Sequence, residues 1–337
     1  MSEIRQNVAT QDWVIIATER AHRPEDFIPP ADRCLTADRP EFVAACPFCP
    51  GNERMSCDPV ALRTDAAGDW TLRLVANKYP ALRPQGSTAR HLDRLDRRMD
   101  AVGHHEVLIE ARAHNTTTAL LPVEQVRAVL EVFRERGRQL AAEPDVLQVI
   151  FFKNHGVAGG ISLEHPHWQL IALPIVPNHI RTRLETAMRW YDEHGQCVYC
   201  EMWRSESQQG QRVVEENEHF VAFVPFAAFS PFHIWILPKA HSPLFFTLSD
   251  AALQGLAELL RGTLRRLYLG LSDPDYNVIL RMAPMAYERV HWFHWYVTIV
   301  PKVSRLAGFE LGSGMYINTA RPEDSARFLR EIDLGEP

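Results

Sequence analysis

The stretch Gly159-Gly160-Ile161-Ser162-Leu163-Glu164-His165-Pro166-His167-Trp168-Gln169 sets two imidazoles and an amide at alternate positions. An apolar run, Leu170-Ile171-Ala172-Leu173, follows it and reads as a strand. Alternate side chains of a strand share a face. With Pro166 keeping the chain extended, His165, His167 and Gln169 are expected side by side, next to glycines that let a ligand approach the backbone. The plainer reading is a strand with two surface histidines. An imidazole nitrogen can attack phosphorus and form a phosphoramidate, provided that its other nitrogen is held by an acceptor that fixes the tautomer. Gln169, Ser162 and the backbone amides of Gly159 and Gly160 offer donors to a phosphoryl oxygen. Arg20 and Arg23 could supply positive charge for phosphates, although arginines after a strand also serve as solvated surface. Asn77 reads equally as a turn former.

The six cysteines include two C-x-x-C pairs, Cys46/Cys49 and Cys197/Cys200, with Cys34 and Cys57 left over as structural or incidental. In a reduced compartment such pairs read as metal ligands or redox motifs before disulfides. A pair joined by two distant histidines makes a tetrahedral Cys₂His₂ set suited to zinc. The first set is Cys46, Cys49, His114 and His165. The second is Cys197, Cys200 and His241, completed by His294 or by His291. Both sets look closed, so zinc there would stabilise the fold rather than activate water. If His165 holds metal, His167 is left free as the nucleophile.

The elements that must position these groups follow from periodicity. Strands are expected around Asp12–Ala17, Trp70–Val75, Glu106–Glu110 and Leu147–Phe152, and a helix after Pro122 carries Val126, Val129, Leu130 and Phe133 at i, i+3, i+4, i+7. A second helix from about Asn178 has Ile180, Leu184, Met188 and Tyr191 on one face, and the polar run Ser205–Gln211 reads as a loop or hairpin turn. The order then repeats: strands at His219–Val224 and His233–Leu237, a leucine-rich helix capped near Thr247 or Ser249, and strands at Asn277–Arg281 and His294–Pro301. The spacing from His114 to His165 is 51 residues and that from His241 to His294 is 53. This is an internal duplication, with an expected division at 1–176 and 177–337. Strands outnumber helices, which points to an α+β fold built on a broad, mostly antiparallel sheet with helices packed on it.

Composition narrows the function classes. The 337 residues are 46% hydrophobic and 23% charged, which is ordinary for a soluble globular protein. No apolar run approaches the ~20 residues of a membrane span, and the N-terminal residues lack the apolar core of a signal peptide, so a cytoplasmic location is the expectation. The net charge of −6 gives no reason to expect nucleic-acid binding, while a few local arginines suffice for a small anion.

Taken together, Arg20-Ala21-His22-Arg23-Pro24, Cys46-Pro47-Phe48-Cys49-Pro50-Gly51-Asn52-Glu53, Asn77-Lys78-Tyr79-Pro80-Ala81-Leu82, His114, Phe152-Lys153-Asn154 and His165-Pro166-His167-Trp168-Gln169 resemble the galactose-1-phosphate uridylyltransferase family, the transferase branch of the histidine-triad superfamily. The resemblance covers most of the chain. It implies histidine-triad-like halves, a half-barrel sheet, a homodimer and a ping-pong reaction. His167 would attack the α-phosphorus of a UDP-hexose, oriented by the backbone carbonyl of His165, and release a hexose 1-phosphate. A second hexose 1-phosphate would then take the nucleotide. Asn154, Ser162 and Gln169 would hold the phosphoryl group and Asn77 the nucleoside. Arg20 and Arg23 would approach the nucleotide, and Glu310, in Gly308-Phe309-Glu310-Leu311-Gly312-Ser313-Gly314, would contact the sugar. The hydrolase branch usually has a third histidine where Gln169 stands, which favours transfer. The second cysteine pair and the Phe309–Asn318 segment look more like a subgroup that includes an ADP-glucose phosphorylase, in which phosphate or sulfate accepts the nucleotidyl group. A reading of another class is a non-catalytic, zinc-stabilised nucleotide-binding protein.

Overall fold

The structure, a computed structural model, describes residues 1–18, 24–29 and 33–335. In chain order these form β1 (Glu3–Gln6), β2 (Trp13–Ile16), β3 (Pro59–Thr64), β4 (Trp70–Ala76), β5 (His91–Asp93), β6 (Asp96–Arg98), β7 (His104–Ile109), α1 (Val123–Ala141), β8 (Gln148–His155), β9 (His167–Leu173), α2 (Asn178–His194) and α3 (Val198–Gln209). There follow β10 (Val213–Glu216), β11 (Phe220–Phe223), β12 (Ile234–Pro238), α4 (Asp250–Gly270), β13 (Tyr276–Arg281), β14 (Tyr296–Pro301), α5 (Gly308–Ser313), β15 (Tyr316–Asn318) and α6 (Pro322–Glu331).

The expected α+β architecture is present. Ten strands form one sheet in the order β10-β11-β12-β14-β13-β8-β9-β7-β4-β3, and every neighbouring pair is antiparallel. Read outward from the β8–β13 seam, the two halves have the same order: β8-β9-β7-β4-β3 on one side and β13-β14-β12-β11-β10 on the other. Helix α1 joins β7 to β8, and α4 joins β12 to β13. The duplication read from histidine spacing is therefore a two-fold repeat of the sheet itself.

The core lies between the sheet and these two helices. Trp168, Leu170 and Ala172 alternate inward from β9 and are fully buried, while Val126, Val129, Leu130 and Phe133 make the apolar stripe of α1. Phe133 meets Phe151 at 4.5 Å and Trp168 at 5.7 Å between ring centroids. This packing fixes the outward face of β9, because a slip of one residue would turn His167 into the core. Helix α4 begins at Ser249, whose side chain accepts from the Ala252 amide, which settles the cap between the two candidates. A smaller sheet, β1-β2-β15, ties the first strands to the last one, with β15 parallel to β2.

Two local expectations are corrected. Residues Ser205–Gln209 of the polar run are the end of α3, not a turn; Glu206 points inward to Arg212 at 3.0 Å, and Gly210 at φ +65° closes the helix. On α2 the inward face is carried by Leu184 and Ala187, whereas Met188 is 40% exposed.

Candidate active site and metal centres

His167 is the first residue of β9 and is only 7% exposed. Its Nδ1 lies 2.8 Å from the carbonyl oxygen of His165. A carbonyl only accepts, so Nδ1 carries the proton and donates, and Nε2 keeps its lone pair. Burial lowers the His167 pKa, and the Lys153 ammonium adds to this; together they outweigh the His165 carbonyl and Glu110, which act the other way. The ring is thus a neutral imidazole with one free nitrogen.

That nitrogen belongs to a residue lining a cavity of about 150 Å³. Asn77, Ser162 and Gln169 line the same space, walled by Phe48, Val75, Tyr79 and Val107. Phe48, from the first cysteine knuckle, sets its ring 5.5 Å from that of His167 and 6.0 Å from that of His165. His165 itself precedes the strand and is fully buried, so it does not share the open face of His167 and Gln169 as the alternation alone suggested. Asn77 proves to be both a turn former and a cavity residue: its Oδ1 accepts from the Tyr79 amide at 2.9 Å.

The glycine loop is anchored by the other half of the chain. Asn277 Nδ2 donates to Asn154 Oδ1 at 2.8 Å and to the Gly159 carbonyl at 2.7 Å, and Asp275 accepts from the Ala158 amide at 2.6 Å. A Cβ on Gly159 would stand 2.1 Å from the His155 carbonyl oxygen, so this close approach requires glycine. Gly160 has φ +90°, and Asn154 Nδ2 lies 3.9 Å from where its Cβ would be. Glu310 is not among the residues lining this cavity; it caps α5 by accepting from the Ala307 amide at 3.0 Å. Arg20 and Arg23 lie outside the described residues.

Both cysteine–histidine sets converge. Within each of Cys46/Cys49/His114/His165 and Cys197/Cys200/His241/His294, one ligand atom per residue lies within 4.8 Å of all the others. None of the cysteines is in a disulfide. In the first set His114 and His165 each bring Nδ1 to 3.6 Å from Cys49 Sγ, and His165 Nε2 donates to the Ala111 carbonyl at 2.9 Å. In the second set His241 and His294 bring Nδ1 to 3.4 and 3.5 Å from Cys200 Sγ, while their Nε2 atoms donate to the Val290 and Pro238 carbonyls. The carbonyls fix the tautomer that leaves Nδ1 free, as an outer partner of a metal-bound histidine does. Burial pulls His165 down to about 4, which keeps that lone pair available. Between Cys197 and Cys200 the shared proton pulls Cys200 down and pushes Cys197 up, so only one thiol ionises readily; a divalent cation would let both do so. The donor chemistry fits a metal at both places. His294 completes the second set, and His291 is exposed.

Sequence reasoning missed the support beneath the site. Behind His167, on the core face, Lys153 Nζ lies 2.6 Å from Glu110 Oε1, and Glu110 Oε2 accepts from Trp168 Nε1 and Thr118 Oγ1. Gln169 Oε1 lies 2.8 Å from His105 Nε2. Lys153 sits in a quoted motif, yet nothing local links it to Glu110, 43 residues away.

Comparison with known proteins agrees with this geometry. The family models described as galactose-1-phosphate uridyl transferase, N-terminal domain and C-terminal domain, match residues 1–177 and 183–324. An ADP-glucose phosphorylase of Arabidopsis thaliana is 34% identical, over 98% of this chain and 93% of its own. A galactose-1-phosphate uridylyltransferase of Thermotoga maritima is 29% identical, over 99% of both chains. Among solved structures, the Arabidopsis ADP-glucose phosphorylase with bound ADP-glucose superposes with a TM-score of 0.83 at 31% identity, covering 99% of each chain.

Proposed function

This chain belongs to the galactose-1-phosphate uridylyltransferase family, and within it we propose a nucleotidyltransferase that works through a covalent nucleotidyl-His167. His167 Nε2 attacks the α-phosphorus of a nucleoside diphosphate sugar. The bond to the bridging oxygen breaks and the sugar 1-phosphate leaves with the electron pair. A phosphate oxygen of the acceptor then attacks the same phosphorus and restores the imidazole. The observation that carries this reading is the His165 carbonyl on His167 Nδ1, which leaves Nε2 as the free nucleophile beside Gln169, Ser162 and Asn77.

In the same reading His167 and Gln169 are catalytic, with His165 orienting His167. Asn154, Gly159, Gly160 and Ser162 hold the phosphoryl group, and Asn77, Arg20 and Arg23 the nucleotide. Glu310 meets the sugar; since it is not among the residues lining this chain's cavity, that role belongs to a homodimer in which it reaches a partner. Residues 1–176 carry the nucleophile and first metal and 177–337 the second metal, both metals being zinc in closed, structural sites. The location is cytoplasmic.

The first reading of the substrates is UDP-glucose with galactose 1-phosphate, supported by the several relatives named as uridylyltransferases. A second reading, an ADP-glucose phosphorylase with phosphate as acceptor, is favoured by the second Cys/His set together with the 34% identity to that enzyme. Incubation with UDP-glucose and, separately, ADP-glucose, followed by intact mass measurement, separates them. A uridylyl adduct supports the first reading and an adenylyl adduct the second. No adduct with either, while His167→Asn binds nucleotide as well as the wild type, sinks both and leaves a binding protein.

A further inference from the structure

We propose that His105 is a positioning residue that fixes the side-chain amide of Gln169, so that its N–H₂ and not its oxygen faces the reacting phosphoryl group. The proposal rests on the reading of His167 as nucleophile. His105 stands on β7, two residues before Val107, the strand partner of Gln169. Its Nδ1 lies 3.1 Å from the backbone nitrogen of Ala81. A backbone N–H only donates, so Nδ1 accepts and the imidazole proton sits on Nε2. Nε2 lies 2.8 Å from Gln169 Oε1. An N–H must meet an oxygen there, since the flipped amide would set two donors against each other. The N–H₂ of Gln169 is therefore left for the cavity that Gln169 lines.

Asn77 is oriented by its own turn and not by His105. Its Nδ2 lies 3.1 Å from His105 Nε2, but both carry hydrogen, so no bond joins them. With Asn77 Oδ1 already accepting from Tyr79, the Asn77 N–H₂ remains for a ligand. Without His105 the Gln169 amide could turn its oxygen toward phosphoryl oxygens, which repel it. The second half repeats the arrangement without the chemistry. His233 stands two residues before Trp235, the strand partner of Thr298, and its Nε2 lies 2.8 Å from Thr298 Oγ1.

The test is a double-mutant cycle on single-turnover formation of the His167 adduct. His105→Phe should slow it about tenfold, the loss of roughly one hydrogen bond in the transition state, with KM for the nucleotide sugar, metal content and melting temperature unchanged. In a Gln169→Ala background the same change should have no further effect. His105→Gln, which keeps an N–H, should recover most of the rate. An equal slowing in both backgrounds, or none in either, overturns the proposal. A second measurement stands apart from activity and from any variant's folding: ¹⁵N-histidine NMR of the wild type should give the Nε2–H tautomer for His105, and an Nδ1–H tautomer overturns the proposal. If the wild type forms no adduct but His105 has the Nε2–H tautomer, the functional reading fails while the orientation of Gln169 stands.

Discussion

Phe152 and Ile279 pair with each other across the seam of the large sheet, and the strand partner on the far side is Gln169 for Phe152 and Thr298 for Ile279. The repeat axis runs between them, and it carries His167 onto Tyr296, two residues before Gln169 and Thr298 respectively. The two halves differ in what covers these positions. Over His167 and Gln169 there is a cavity of about 150 Å³; over Tyr296 and Thr298 there is one of about 40 Å³, lined by Arg183, Arg281 and residues of the N-terminal segment. Arg183 of α2 donates to the Tyr296 hydroxyl.

Restoring the missing side chains should therefore not restore a second site. The double variant Tyr296→His with Thr298→Gln is expected to take up one nucleotidyl group per chain, as the wild type does, in an intact mass measurement. Two groups would show that cover, and not residue identity, was wrongly identified as the difference.

The two metal sets should separate by their distance from the chemistry. His165 is both a ligand candidate and the residue whose carbonyl orients His167. Loss of the first site through Cys49→Ser should cost adduct formation about 10–100-fold, the range typical of a disturbed outer-shell partner. Cys200→Ser should lower thermal stability while adduct formation persists. Elemental analysis should give two zinc ions per wild-type chain and one in each variant. A single ion in the wild type would mean that the second assignment is wrong.

How much of this was legible depended on whether a signal was local. The His165-Pro166-His167-Trp168-Gln169 stretch, the cysteine pairs and the repeated histidine spacing are short patterns with fixed chemistry, so the meeting of His167 and Gln169 at one cavity, the convergence of both Cys/His sets and the duplicated sheet were legible in them. The Asn277 bonds to Asn154 and Gly159 span more than 100 residues and depend on the seam between halves, which no pattern within either half reveals. Ser205–Gln209 misled because polarity was read as a turn, whereas the buried Glu206–Arg212 pair makes the run an amphipathic helix end. That Glu310 caps its own helix and is not among the residues lining the cavity is likewise a property of the folded chain and not of its motif.

Lys153 and Glu110 are both essentially fully buried, and each is the other's counter-charge. Lys153→Met would leave the Glu110 carboxylate charged and unpaired beneath β9, a change that typically costs about 3–5 kcal/mol. Denaturant unfolding should register a loss of that size. Adding Glu110→Gln, which removes the stranded charge and keeps an acceptor for Trp168, should recover more than half of it. A loss under about 1 kcal/mol in the single variant would mean that water reaches the pair and it is not the buried element described.

The acid limb of the reaction should lie below the usual histidine range. Attack requires the neutral imidazole, and the His167 pKa is lowered from 6.5, first by burial and then by Lys153, against the pull of the His165 carbonyl and Glu110. A base whose pKa is lowered keeps its reactive form to lower pH, so the rate of adduct formation falls only as pH drops through the shifted value. Single-turnover mass measurements should give an acid limb whose midpoint lies below pH 6.5. Lys153→Met removes a charge that disfavours the imidazolium, so its acid limb should move to higher pH than that of the wild type. An inflection at or above pH 6.5 in the wild type would show that His167 is hydrated in the free enzyme and that burial does not set its protonation.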